Sequence, residues 1–128
     1  MEERFIDLGK LDLNIYRSIS AEIQSEEVII TCERIEHIKE RHPDDYALFE
    51  KYGRVVLAEP DYILKSKRAS TGVVLKQIKT NGIMMQLVLK IATSQESGKK
   101  NSVITFMKIS ERTWNKYMRN KEIIYKNH

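Results

Sequence analysis

The stretch GVVLKQIKTNGIMMQLVLKIA, residues 72–92, decides the kind of sheet that this chain builds. Two apolar segments flank Asn81 and Gly82, a pair that accepts the positive φ angles of tight hairpin turns. In the second segment every other residue from Met85 to Ile91 is apolar, which is the pattern of a strand with one buried face. The stretch therefore predicts two antiparallel strands joined by a short turn.

The segments around this hairpin extend the sheet. Residues 101–109, NSVITFMKI, predict the next strand, and a polar, basic loop at residues 93–100 leads into it. A short helix begins after Ser110, which is a typical N-cap, and residues 122–126, EIIYK, predict a closing strand. A shorter strand can precede the hairpin at residues 62–65.

Upstream of the sheet, TCERIEHIKERHP at residues 31–43 predicts a helix. Thr31 is a typical N-cap, and Pro43 disfavours helical geometry at His42, so the helix ends there. Pro43 and the two acids after it then begin a second helix, which ends at residues 59–61, EPD. Residues 28–31, VIIT, are either a short buried strand or the lead-in to the first helix.

Together these elements predict an α+β fold, with N-terminal helices packed on a four-stranded antiparallel β-sheet and a short C-terminal helix and strand. We expect one domain over residues 1–128, in which residues 1–26 are an N-terminal extension packed on the rest. No apolar run is long enough to cross a bilayer, and the acidic start MEERFIDLGK is not typical of a signal peptide. Cys32 is the only cysteine, which excludes an internal disulfide and fits a reducing cytoplasm.

The charge is distributed unevenly along the chain. Residues 1–64 carry 8 Lys+Arg and 15 Asp+Glu, whereas residues 65–128 carry 14 and 3. The C-terminal half therefore predicts a basic surface, whose targets are nucleic acid, an acidic membrane or an acidic protein. The alternative is an ordinary solvated charged surface.

The helix at residues 31–43 carries the residues best suited to chemistry. On a helical wheel Arg34, His37 and Arg41 form a charged arc, while His42 lies beside two isoleucines. Histidine suits general acid–base catalysis near neutral pH, and arginine offers a fork of donors that matches phosphate. The alternatives are a plain surface histidine for His37 and a helix-end histidine bonded to a carbonyl or a core neighbour for His42.

A metal site is not expected in this helix. His37 and His42 are five residues apart instead of the four of the zinc-protease pattern, and Cys32 has no second cysteine to join it.

Two later strands add further candidates. Alternation along residues 101–109 puts Asn101 and Thr105 on one face and Ser102 on the other. Thr105 is either a hydroxyl donor to a phosphate oxygen or an ordinary strand residue. Tyr125 and Lys126 are either a closing strand or a group that stacks on a base and contacts phosphate.

The segments HIKERHP (37–43), EPDYIL (59–64), NSVITF (101–106) and YK (125–126) resemble, in their order and spacing, the phage-encoded nuclease domains of the barnase–EndoU–colicin–RelE superfamily. The resemblance covers residues 27–126. It implies a compact α+β fold and a metal-independent RNase without a cofactor, often a toxin. This sequence offers no evident glutamate in the barnase-like base position, so a histidine must take that role.

Carried over residue by residue, the resemblance implies a catalytic group and a set of substrate contacts. The catalytic residues would be His37, Arg41, His42, Thr105 and Tyr125. The substrate contacts would be Ser102 and Lys126, to which the basic surface adds Arg34, Lys76, Lys99 and Lys100.

The sequence thus predicts a cytoplasmic endoribonuclease that cleaves RNA by attack of the 2′-hydroxyl, leaving a 2′,3′-cyclic phosphate. Its partners would be RNA, with tRNA as one candidate, and an acidic immunity or antitoxin protein, with no membrane involved. The alternative is a module that binds nucleic acid or an acidic partner without catalysis. Binding that weakens steeply with salt, without product, would distinguish that module from the enzyme.

Overall fold

The computed structural model describes residues 4–93 and 99–127. Part of the predicted basic loop, residues 94–98, lies outside the described residues. The elements in chain order are β1 (Phe5–Lys10), α1 (Leu13–Tyr16), β2 (Glu27–Thr31), α2 (Cys32–Arg41), α3 (Pro43–Ala58), β3 (Tyr62–Lys65), β4 (Thr71–Gln77), β5 (Met84–Lys90), β6 (Asn101–Ile109), α4 (Glu111–Asn120) and β7 (Ile123–Lys126).

The α+β class is confirmed, but the predicted four-stranded antiparallel sheet is wrong. The strands form one seven-stranded mixed sheet in the order β1-β2-β6-β5-β4-β3-β7. The chain also opens on a strand and not on packed helices, since α1 has only four residues. The predicted sheet is too small because β1 and β2 join it through a contact between segments that are remote in the chain.

That contact is the short parallel pairing of β2 with β6, limited to Val28 with Asn101 and Ile29 with Ser102. The buried side chain of Asn101 reinforces it. Its Nδ2 donates to the carbonyl oxygens of Ser25 at 2.6 Å and Glu27 at 3.0 Å, and its Oδ1 accepts from the Ala92 amide at 2.9 Å. One asparagine therefore bonds the backbone of two segments that only tertiary folding brings together.

The hairpin of residues 72–92 is confirmed, with β4 and β5 paired from Thr71 with Lys90 to Gln77 with Met84. Its turn is longer than a two-residue loop, because the amide of Ile78 donates to the carbonyl of Ile83 at 2.8 Å. Within the turn Gly82 has a φ of 72° and supplies the left-handed residue. Asn81 contributes its side chain instead, since its Oδ1 accepts from the Ile83 amide at 3.0 Å.

Helices cover both faces of the sheet. On the first face α2 and α3 bury an apolar layer that includes an edge-to-face pair of Phe49 and Phe106, with ring centroids 5.2 Å apart. On the second face α4 packs Trp114 against Tyr62 at 6.0 Å, above a smaller apolar cluster of β3, β4 and β6. None of the helices in the described part of the chain is long and apolar enough to span a membrane.

A bulge in β6 changes which of its residues share a face. Thr105 pairs with Val88 and Val103 pairs with Leu89, so Ile104 is an extra residue. Directly paired residues of antiparallel strands point to the same side, and Ser102 pairs with Lys90. Ser102 and Thr105 therefore both face the side on which α4 packs. The prediction that the side chains of Thr105 and Asn101 share a face of the strand is wrong.

Candidate active site

A cleft of about 1380 Å³ opens between α2 and the first part of β6. It exceeds the roughly 300–1,000 Å³ of typical small-molecule sites, so its size suits a segment of polymer. We call it the α2 cleft. Its lining comes from β1, β2, α2, β6 and the residues just before β6, namely Phe5, Ile29, Thr31, Glu33, Arg34, Glu36, His37, Glu40, Lys99, Lys100, Ser102, Val103 and Ile104.

The sequence of α2 explains why its charged side faces this cleft. The side chain of Thr31 caps the helix by accepting from the Arg34 amide at 3.2 Å. Ile35 and Ile38 are buried in the core, which turns the opposite side of the helix outwards. His37 is exposed on that outer side.

Two glutamates flank His37 on the helix surface, Glu33 four residues before it and Glu40 three residues after it. Residues at these spacings are neighbours on a helix. None of these three side chains forms a hydrogen bond or an ion pair with another described residue. Carboxylates and an imidazole that are close together and uncommitted can take and give protons.

Glu33 and Glu40 are functional candidates that are absent from the predicted site. The resemblance to barnase-like enzymes implied no glutamate as the base. The spacing of Glu33 and Glu40 from His37 was the available signal, because it places the carboxylates beside the imidazole on any regular helix.

Cations and an aromatic ring line the other parts of the cleft. The Nζ of Lys100 lies 4.7 Å from the centre of the Phe5 ring and 3.5 Å from a carboxylate oxygen of Glu27. Phe5 belongs to the edge strand β1 and is 44% exposed. With Ile29 and Ile104 it gives the cleft an apolar surface suited to a nucleobase.

The structure brings together five of the predicted site residues. The α2 cleft is lined by Arg34, His37, Lys99, Lys100 and Ser102. Thr105 lies in an adjoining pocket that shares Ile104 with the cleft.

Arg41 and His42 do not line the α2 cleft, although both belong to the same helical segment. They lie at the C-terminal end of α2, where His42 is the boundary between α2 and α3. The Nδ1 of His42 is 3.9 Å from a carboxylate oxygen of Asp45, and its side chain is 55% exposed. Arg41 is thus one helical turn beyond His37 and His42 is five residues beyond it, but neither residue lines the cleft in which His37 lies.

Tyr125, Lys126 and Lys76 also lie elsewhere. Tyr125 and Lys126 belong to β7, the edge strand that β5, β4 and β3 separate from β6. At about 4.8 Å per strand this is roughly 19 Å from β6, so the predicted convergence of Tyr125 with His37 does not occur. Lys76 is engaged on β4, where its Nζ donates to the Glu59 carbonyl at 2.6 Å and lies 3.6 Å from Asp61.

Over residues 4–93 and 99–127, no group of three or more His, Cys, Asp or Glu side chains is arranged to hold a metal ion. The chemistry that the α2 cleft itself offers is proton transfer by His37, Glu33 and Glu40, with positive charge from Arg34 and Lys100.

Comparison with known families gives a match over nearly the whole chain. The family model PBECR2, described as phage-Barnase-EndoU-ColicinE5/D-RelE like nuclease, matches residues 4–126. Neither the curated proteins nor the solved structures gave a significant match.

Proposed function

Because the chain belongs to the PBECR2 family of phage-Barnase-EndoU-ColicinE5/D-RelE like nucleases, we propose that it is a metal-independent endoribonuclease that works in the α2 cleft. The observation that carries the proposal is the position of His37 between Glu33 and Glu40, in a cleft that cationic and aromatic side chains also line. This arrangement contains the proton-transfer groups and the positive charge that RNA cleavage by its own 2′-hydroxyl requires.

The reaction begins with the removal of the 2′-hydroxyl proton by a carboxylate of Glu33 or Glu40. The 2′-oxygen attacks the adjacent phosphorus, and a bond forms between them while the bond from phosphorus to the 5′-oxygen breaks. Protonated His37 gives its proton to the departing 5′-oxygen. The products are a 2′,3′-cyclic phosphate and a free 5′-hydroxyl, and the proton balance is closed without a metal.

The remaining cleft residues stabilise charge and position the substrate. Arg34 and Lys100 would stabilise the negative charge of the phosphorane, because they offer donors to its non-bridging oxygens. Phe5 offers a face on which a base can stack. Arg41, His42 and Tyr125, which the resemblance implies as catalytic, have no role in this assignment.

We extend the proposal to a toxin-like role with an acidic inhibitor. The motivating feature is the basic C-terminal half of the chain, which an acidic immunity or antitoxin protein would complement. Growth arrest on expression of the wild type, absent with His37→Ala, would support this role. Equal growth of the two strains at equal protein levels would contradict it.

The decisive experiment incubates purified protein with mixed-sequence RNA in excess EDTA and identifies the product ends. We expect 2′,3′-cyclic phosphate ends, and no cleavage of DNA of the same sequence because DNA lacks the 2′-hydroxyl. His37→Ala should lower the rate by at least about 100-fold, the usual contribution of a general acid or base. Glu33→Gln and Glu40→Gln should identify the base.

His42→Ala is the matched control, since His42 is an exposed histidine of the same segment outside the cleft. It should cleave RNA at close to the wild-type rate. Cleavage by His37→Ala as fast as by wild type would overturn the mechanism.

The alternative function is a module that binds nucleic acid without cutting it. The uneven charge of the chain favours it, since residues 65–128 carry 14 Lys+Arg against 3 Asp+Glu. Salt-sensitive binding of RNA with no cleavage products, under conditions in which the protein is folded, would favour this module over the enzyme.

A further inference from the structure

A second pocket, of about 760 Å³, adjoins the α2 cleft at Ile104. Its lining includes Arg68, Lys90 and Thr105, and every polar side chain that lines it among the described residues is a hydroxyl or a cation. The described lining contains no Asp or Glu. We call it the Arg68 pocket.

The two pockets differ in charge. The α2 cleft carries three glutamates beside its cations, and these carboxylates repel the phosphates on either side of a bound nucleotide. Among the described residues, the lining of the Arg68 pocket offers hydroxyls and positive charge without a carboxylate, which is an environment that phosphate oxygens favour. The described carboxylates and His37 therefore line one pocket, and a cationic lining without carboxylates among the described residues forms the other.

The bulge in β6 places a side chain of each pocket on the same face of the strand. Ser102 and Thr105 are an odd number of residues apart, so in a regular strand they would point to opposite faces. The extra residue Ile104 turns both to the same face, with Ser102 in the α2 cleft and Thr105 in the Arg68 pocket. They are separated by roughly 10 Å along the strand, which a strand of a few nucleotides can span.

The loop that forms the far wall of the Arg68 pocket is held in a defined shape. Ser70 has a φ of 54° and is the only non-glycine residue of the described chain with a positive φ. Its carbonyl accepts from the Ile91 amide at 2.8 Å, and the Thr71 hydroxyl donates to the Ala69 carbonyl at 2.9 Å. A left-handed conformation is costly for serine, and such residues cluster at ligand sites.

We propose that the Arg68 pocket is a phosphate-binding subsite that holds the RNA backbone next to the nucleotides cleaved in the α2 cleft. This inference rests on the proposed function. Arg68 would bind a phosphate through its guanidinium, and the hydroxyls of Ser70 and Thr105 would donate to the same backbone. The substrate class is a single strand long enough to occupy both pockets.

The test measures binding of a fluorescent single-stranded oligonucleotide that carries 2′-O-methyl groups and cannot be cleaved. The His37→Ala protein is the background, so binding is read independently of cleavage. Arg68→Ala should weaken binding about tenfold, as expected for one charge-assisted contact. It should also lower the slope of log affinity against log salt by about 0.7, because one phosphate contact is lost.

Two further variants make the test specific. Arg112→Ala removes an exposed arginine of α4 that does not line the pocket, and it should bind like the background protein. Ser70→Gly removes the hydroxyl from a left-handed position that glycine accepts, so it should weaken binding without lowering the thermal unfolding midpoint.

Cleavage kinetics separate this subsite from the proposed function. With active protein, Arg68→Ala should raise KM for a long RNA and leave cleavage of a dinucleotide unchanged, since a dinucleotide cannot reach both pockets. Equal binding and equal KM for Arg68→Ala and Arg112→Ala would overturn the subsite while leaving the nuclease intact. Absence of cleavage by wild type would overturn the nuclease, and the binding measurement would still decide on the pocket.

Discussion

Replacing Asn101 by alanine should both destabilise the protein and open the α2 cleft. The side chain makes three hydrogen bonds to backbone groups, and it is fully buried. At a net contribution of about 0.5–1.5 kcal/mol for each bond, Asn101→Ala should lower the free energy of unfolding by about 3 kcal/mol. Because β2 and β6 share only two paired positions, the loss should be concentrated between the walls of the cleft.

Urea unfolding followed by the fluorescence of Trp114, the only tryptophan, measures this loss. Asn115→Ala is the matched control, since Asn115 is exposed on α4 and its replacement should change the free energy by less than about 0.5 kcal/mol. A loss below about 1 kcal/mol for Asn101→Ala would refute the reasoning that one side chain holds β2 against β6.

Three other predictions concern the core and the cleft. The Tyr16 hydroxyl donates to the Leu57 carbonyl at 2.7 Å, so Tyr16→Phe should cost about 1 kcal/mol in urea unfolding near pH 8. Burial raises the pKa of Tyr16 far above its ordinary value. Above about pH 10 the Tyr16 hydroxyl therefore ionises in the unfolded chain while it stays protonated in the folded protein. The free energy of unfolding of wild type should fall by up to about 1.4 kcal/mol per pH unit, and Tyr16→Phe should lack this loss. An equal dependence of the free energy on pH in the two proteins would contradict this. A Cβ on Gly72 would lie 2.5 Å from the Ile19 Cδ1, so Gly72→Ala should lower the free energy of unfolding by about 1–3 kcal/mol, and an unchanged midpoint would show that Ile19 simply moves away. Phe5→Ala should weaken binding of the uncleavable oligonucleotide by 1–3 kcal/mol for each base stacked on it, roughly 5–150-fold, while Phe5→Tyr should keep it; equal affinities would exclude stacking.

Local patterns in the sequence were sufficient for most individual elements. The helix that begins after Thr31 and ends before Pro43 is confirmed, because a cap and a proline act within a few residues. The hairpin of residues 72–92 is confirmed for the same reason, since alternation and turn residues are local signals.

The sheet as a whole was not predictable in this way. The parallel pairing of β2 with β6 depends on the buried Asn101, whose partners are 74 and 76 residues away. The bulge at Ile104 has no signal in alternation, because alternation assumes a regular strand. One inserted residue was enough to reverse the predicted face of Thr105.

The candidate site was predictable in part from a single helix. Arg34 and His37 line the α2 cleft as expected from the charged arc of the wheel, whereas Arg41 of the same arc does not. The position of Tyr125 was not predictable, because a strand near the end of the chain can join either edge of the sheet. Phe5 is not among the predicted site residues, because its exposure of 44% depends on the position of β1 at the edge of the sheet.

The hydrogen bond from Asn101 to Ser25 also has a kinetic consequence. Closing a loop of 76 residues costs more conformational entropy than forming a hairpin, and it is therefore slower. We expect β4 and β5 to form early and the junction of β2 with β6 to form last. A chain still leaving the ribosome would then have no assembled α2 cleft before Asn101 emerges. Under the proposed function, it would have no active site with which to cut the surrounding RNA. Pulse-labelled hydrogen exchange during refolding can check this order. The informative amide is that of Ile29, because the Cys32 amide bonds to Arg4 of the β1 side and alternate amides of β2 therefore face β6. Protection of the Ile29 amide before those of β4 would disprove the order.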